Sequence, residues 1–313
     1  MPSLTIKAVG AAMFGAASVA GHGYVQGINV AGTYYDGYDP LIDPSKSDPP
    51  TVVAWTASNT DQGFIDPSSY DTSDIICHVD ATPARGYARA NAGDKIELYW
   101  TDWTSSHKGP VLDYLAKCAD DDCVNVDKTS LEFFKIDAVG LVDDSDLPGT
   151  WASDHLISNN NSWTIKIPSN LASGNYVLRH EIIALHSAKE SDGAQNYPQC
   201  FNLAITGTGS LQPAGTPGEA LYSKSAAGVL VNIYKTMSSY KIPGPTMIAA
   251  GTTLSQSSIP VTAKATAVTK VSAAHAAASH SVTEKTSTVA VAQETSDADA
   301  CRTRHHPRDI LKA

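Results

Sequence analysis

The chain has 313 residues and a net charge of −10, with 42% hydrophobic and 17% charged side chains. That is enough apolar material for one sizeable domain. The acidic, sparsely charged balance excludes the basic surface that binding to nucleic acid requires.

Lys7 is followed by a small, uncharged, apolar run from Ala8 to Ala20, and Val19-Ala20-Gly21 supplies small residues for a cleavage point. Residues 1–21 therefore have the composition of a secretory signal peptide. The run is too short to span a bilayer, and no later stretch is long and apolar enough to do so. The expected product is secreted, soluble and free of the membrane. Cleavage after Gly21 makes His22 the first residue of the mature chain.

Short β-rich runs follow, separated by Gly, Pro, Asn and Asp: Val52–Trp55, Lys95–Trp100, Ser162–Ile167, Asn175–Leu185 and Phe201–Thr206. Lys95–Trp100 and Trp163–Ile167 alternate apolar and polar residues, as half-buried strands do. Long periodic helices are scarce. The expected fold is all-β: an immunoglobulin-like antiparallel β-sandwich over residues 22–248, with a few short helices. Long loops at 34–50 and 143–162 would decorate it. From Ala249 onward Ser, Thr, Ala and Val dominate and aromatics vanish. Such a composition buries too little apolar area to offset its ordering entropy, so residues 249–313 are expected to form a disordered tail, a candidate for O-glycosylation. Asn160-Asn161-Ser162 is an N-glycosylation sequon.

There are five cysteines, Cys77, Cys118, Cys123, Cys200 and Cys301. In a secreted chain they oxidise. Cys118 and Cys123 suit a short local bridge, which would leave Cys77 and Cys200 to close a long loop, but spacing alone leaves other pairings open. Cys301 is the odd one.

Three segments carry candidate chemistry. An N-terminal histidine offers its α-amine and a ring nitrogen to one metal ion, and the α-amine is far less basic than a lysine. A second imidazole would complete a three-nitrogen site of the kind copper(II) favours. His107, in Ser106-His107-Lys108-Gly109-Pro110-Val111, sits in a Gly/Pro loop where a ligand is readily presented. Tyr197 lies three residues before Cys200, which would hold it firmly near a metal. His186 and Gln195 are polar residues able to position a bound oxygen species.

These segments resemble a known family. His22-Gly23-Tyr24-Val25-Gln26, Asp74-Ile75-Ile76-Cys77-His78, the His107 segment, Leu131–Ile136, Arg179–Ala188, Gly193–Cys200 and Tyr240–Pro245 are together similar to fungal lytic polysaccharide monooxygenases of auxiliary activity family nine. The likeness runs over residues 22–247. It implies that His22 and His107 form a histidine brace on one copper ion, with Tyr197 as a further ligand. It implies catalytic roles for His186 and Gln195 beside the oxygen species, and disulfides Cys77–Cys200 and Cys118–Cys123. It implies a flat substrate face on which Tyr240 stacks against sugar rings. Ser45 stands near the position where some relatives carry a further tyrosine, which shortens the expected aromatic strip. Tyr24, Tyr35 and Tyr38 are expected to pack in the core. The implied reaction is oxidative cutting of cellulose or related β-1,4-glucan by a monomer, with dioxygen or hydrogen peroxide and electrons from a small reductant or a redox protein. Two other readings compete: a cellulose hydrolase, which needs two flanking carboxylates that no motif supplies, and a non-catalytic copper- or carbohydrate-binding protein.

Overall fold

The computed structural model describes residues 22–48 and 50–269. The proposed signal peptide and the tail from residue 270, with Cys301, lie outside the described residues. In chain order the strands are β1 (Val25–Val30), β2 (Thr33–Asp36), β3 (Ala88–Asn91), β4 (Lys95–Trp100), β5 (Val111–Lys117), β6 (Glu132–Val139), β7 (Leu141–Asp143), β8 (Thr150–Trp151), β9 (Ser162–Lys166), β10 (Gly174–Ala184), β11 (Gln195–Thr206), β12 (Thr216–Pro217) and β13 (Ala263–Lys264). The α-helices are short, α1 (Asp74–Cys77) and α2 (Ala152–Ser158). One sheet has the order β13-β2-β1-β4-β9 and the other β12-β6-β5-β10-β11-β3, with β7 and β8 pairing apart. Pairing is antiparallel except for β3 with β11 and β13 with β2.

The expected sandwich is present, and its central strands are drier than alternation implied. All eleven residues of β10 are buried. Tyr176, Leu178 and Ile182 face the core shared with the first sheet, while Val177 and Ile183 join a second apolar cluster with Ile75, Ile76, Trp55 and Tyr70. A strand covered on both faces reads as a continuous apolar run. On that second face sits an ion pair with no exposure, Arg179–Glu181 at 2.8 Å. Arg179 also donates to the carbonyls of Ile75 and Ile76, and Glu181 accepts from Asn196 and Tyr222. Every charge-bearing atom of the pair is thus partnered, which a buried charge demands.

The disulfides are Cys77–Cys200 and Cys118–Cys123. The first ties α1 to β11.

The domain boundary expected at residue 248 is too early. Thr252 N–H donates to Ile136 O at 3.0 Å, the Gln256 side chain bonds the backbone of Thr164, and Ile259 N–H donates to Glu97 Oε2 at 2.6 Å. β13 then extends the first sheet, and Val268 and Tyr87 exchange backbone bonds at 2.9 and 3.1 Å. This strap explains why Glu97 and Thr164, the polar positions of two alternating strands, are buried. A Ser/Thr/Ala/Val segment cannot build its own core. It needs none when it satisfies its backbone on an existing sheet.

Candidate metal centre

One end of the sandwich gathers the starts of β1, β5 and β11 and the ends of β4 and β10. Tyr24 exchanges bonds with Thr101, its N–H reaching Thr101 Oγ1 at 3.2 Å and its carbonyl accepting Thr101 N–H at 3.0 Å. A Cβ on Gly23 would sit 2.5 Å from Thr101 Oγ1, so a side chain there would have to displace Thr101. The His22 ring centroid is 5.6 Å from that of His107, 5.9 Å from Tyr197 and 5.9 Å from Phe64.

His107 belongs to the β4–β5 loop. Its N–H donates to Thr104 O, its carbonyl accepts from Trp103 Nε1, and its Nδ1 lies 3.1 Å from Ser106 Oγ. Nδ1 is thereby occupied, which leaves Nε2 for a ligand. Leu185 N–H donates to Lys108 O at 2.8 Å, carrying the β5–β10 ladder past the strand ends. That register sets His186 beside His107, with ring centroids 4.1 Å apart.

β10 and β11 pair so that Ala184 faces Gln195 and Ile182 faces Tyr197. His186 and Gln195 therefore flank the same loop. Tyr197 is fully buried, its hydroxyl donates to Gln195 Oε1 at 2.9 Å, and Trp103 stands edge-on to it at 5.0 Å. Asn196 between them is locked by Tyr70, Glu181 and the backbone of Ile65.

The electrostatics favour neutral groups. Burial, then the neighbouring rings of His186 and His22, lower His107 to about 4. Burial and His22 lower His186 as well. Burial, then Asp61, holds the Tyr197 phenol well above its usual range. Imidazoles kept deprotonated keep their lone pairs. His186 Nδ1 is buried with no protein partner, a polar atom left unsatisfied in a nitrogen-rich cluster. Among the described residues no group of three or more His, Cys, Asp or Glu side chains could hold a metal. The cluster gathers the imidazole rings of His22, His107 and His186. A nitrogen set of this kind fits copper better than a hard cation.

Of the residues singled out from sequence, His22, His107, His186, Gln195 and Tyr197 converge here. Tyr240 does not. Its ring packs edge-on against Trp151 at 4.8 Å and its hydroxyl donates to Gly228 O at 2.6 Å. Tyr234, six residues earlier, is 50% exposed. Its segment is tied to the His186 loop by Val231 N–H donating to Ala188 O at 2.8 Å. Phe64 and Trp103 line the cluster and were not anticipated; Trp103, four residues before His107, was the more legible of the two. Tyr24 and Tyr35 are buried and Tyr38 packs on the core, as expected.

Fold and cluster together define a β-sandwich with a cluster of histidine and aromatic rings at one end. Residues 22–241 match the sequence model of Auxiliary Activity family 9, formerly GH61. The AA9 family lytic polysaccharide monooxygenase A of Talaromyces verruculosus is 56% identical over 247 residues, 79% of this chain and 75% of that protein. Monooxygenase D of the same family from Podospora anserina is 51% identical, over 86% of this chain and 78% of that one. The solved extended catalytic domain of H. jecorina LPMO9A superposes with a TM-score of 0.77 at 54% identity, covering 80% of this chain and all of that one. The chain belongs to auxiliary activity family nine, the copper-dependent lytic polysaccharide monooxygenases. It is therefore an oxidoreductase that cuts polysaccharide chains.

Proposed function

We propose that the His22 α-amine and ring, with His107 Nε2, hold the copper ion in this chain, that Tyr197 is a further ligand, and that the substrate is cellulose or a related β-1,4-glucan. The convergence of the His22, His107 and His186 rings carries this reading.

A bound copper ion supplies one-electron redox chemistry and activation of dioxygen or hydrogen peroxide, with electrons from a small reductant or a redox protein. This chain's residues do the rest. Tyr197 keeps its phenolic proton and donates it in a hydrogen bond to Gln195 Oε1, which leaves the Gln195 amide N–H groups as donors. His186, held neutral, donates a ring N–H rather than surrendering a full proton. Trp103, Phe64 and Tyr197 exclude water from one side of the cluster. Tyr234 offers an exposed ring to the C–H face of a sugar. The protein is expected to act as a secreted monomer after cleavage following Gly21. Asn160 is exposed, which suits a glycan. A hydrolase finds no support in the core carboxylates, since Glu181, Asp113 and Asp137 are buried and bonded internally.

The test is to load the protein beginning at His22 with copper, incubate it with amorphous cellulose with and without ascorbate, and analyse the products by mass spectrometry. Oxidised ends that require both ascorbate and an intact His107 support the assignment. Unoxidised products made without ascorbate would mean hydrolysis. No products despite tight copper binding would mean a binding protein or another polysaccharide.

A further inference from the structure

The residue after His107 makes a contact that the copper site itself does not need. Lys108 Nζ lies 2.8 Å from both carboxylate oxygens of Asp154, and each side chain is 21% exposed. Asp154 is in the first turn of α2, where Oδ2 also accepts Trp151 N–H at 2.8 Å. Beside it, Ser153 Oγ accepts Gly109 N–H at 3.0 Å, and Ser153 N–H donates to Gly109 O at 3.2 Å. On the opposite side Lys108 O and Pro110 O accept from Leu185 and Ile183 of the β10 end. A Cβ on Gly109 would fall 1.8 Å from Ile183 O, so no side chain fits between loop and strand. Residues 108–110 are thus clamped between β10 and α2, and His107 hangs from the N-terminal end of the clamp.

We propose that Lys108 and Asp154 form a latch that positions His107 for the metal. The inference rests on the reading of His107 as a copper ligand. A single ion pair that keeps partial contact with solvent is screened and contributes modestly to global stability. It therefore makes better sense as a positional restraint, since it fixes the side chain adjacent to the ligand against a helix rather than a flexible loop. Ser106 Oγ and the Trp103 indole orient the ring and carbonyl of His107 from one side. The latch stops the other side of the loop from swinging away from β10. Partners that orient a metal-bound imidazole typically change metal affinity about tenfold to a hundredfold when removed.

The experiment uses protein beginning at His22 and compares Lys108→Met, Asp154→Asn, Lys108→Arg, the Lys108→Met/Asp154→Asn double variant and His107→Ala. Three quantities are read: the copper(II) dissociation constant, the nitrogen hyperfine pattern in the paramagnetic resonance spectrum, and the melting temperature without metal. Lys108→Met and Asp154→Asn are each expected to weaken copper binding about tenfold and to alter the hyperfine pattern. The double variant should be no worse than either single one, Lys108→Arg should restore both readouts, and melting should shift little. Unchanged affinity and spectrum, with binding still lost in His107→Ala, would overturn the latch alone. So would a fall in melting temperature with an unaltered spectrum, which would mark an ordinary structural pair. Copper binding that survives His107→Ala would overturn the underlying ligand assignment instead.

Discussion

Asp137 gives the sharpest stability prediction. It faces Asp113 across the β5–β6 ladder, and both are fully buried. Trp163 Nε1 and Thr253 Oγ1 donate to Asp137 at 3.2 and 2.7 Å, while Asp113 holds the His180 ring at 2.7 Å. Burial, then the negative charge of Asp113, raises Asp137 from 3.8 to about 7. The folded chain therefore holds this proton more tightly than the unfolded chain does. The stability it contributes is fully present below the unfolded value and is lost as pH rises through the folded one. One pKa unit corresponds to about 1.4 kcal/mol, so the whole rise is worth about 4 kcal/mol. Asp137→Asn keeps an acceptor and cannot ionise. Urea unfolding of both proteins across the acid-to-neutral range should show the variant gaining on the parent by about 4 kcal/mol between about pH 4 and pH 7, and then staying level. A difference independent of pH would refute the assignment of a buried, proton-holding Asp137.

Four further outcomes follow from the structure. Removing Cys77–Cys200, which spans 123 residues, should cost about 5 kcal/mol in the chain-entropy model, against about 2 kcal/mol for Cys118–Cys123 with its separation of 5; calorimetry of the two double Cys→Ala variants checks the ranking. Glu181→Gln strands the Arg179 charge beside Tyr222 and Tyr114, and denaturant titration should show a loss of about 3–5 kcal/mol. Tyr234→Ala should weaken binding to cellulose without moving the melting temperature. Tyr240→Phe should leave binding alone and cost about 1 kcal/mol of stability through the lost bond to Gly228. The reverse pattern would return the substrate role to Tyr240.

Legibility from sequence followed the local physics. β4 was read at its observed limits because Ile96, Leu98 and Trp100 alternate inward. β10 was found as a β-rich run, Asn175–Leu185, within one residue of its observed limits, whereas β11 begins six residues before the expected Phe201, because Gln195 and Asn196 look like loop residues until their partners are known. Val52–Trp55 has strand composition but makes only the bridge of Ala54 to Phe201, since a packed loop can bury the same side chains. The five converging site residues were legible because each sits in a distinctive local motif. Tyr240 lies apart from the cluster, packed on Trp151, a placement not legible in the sequence because motif position says nothing about which way a ring turns. The strap at 249–269 was missed because composition measures the capacity to build a core, and this segment borrows one.

The central claim is that a free N-terminal amine on His22 completes the metal site. Its most direct test compares copper(II) affinity and ascorbate-dependent product formation for protein beginning at His22 and protein that retains Gly21. The single added residue converts the amine into an amide and leaves every side chain in place. The account predicts much weaker copper binding and no oxidised products from the extended protein. Equal affinity and equal oxidised product from both would contradict it.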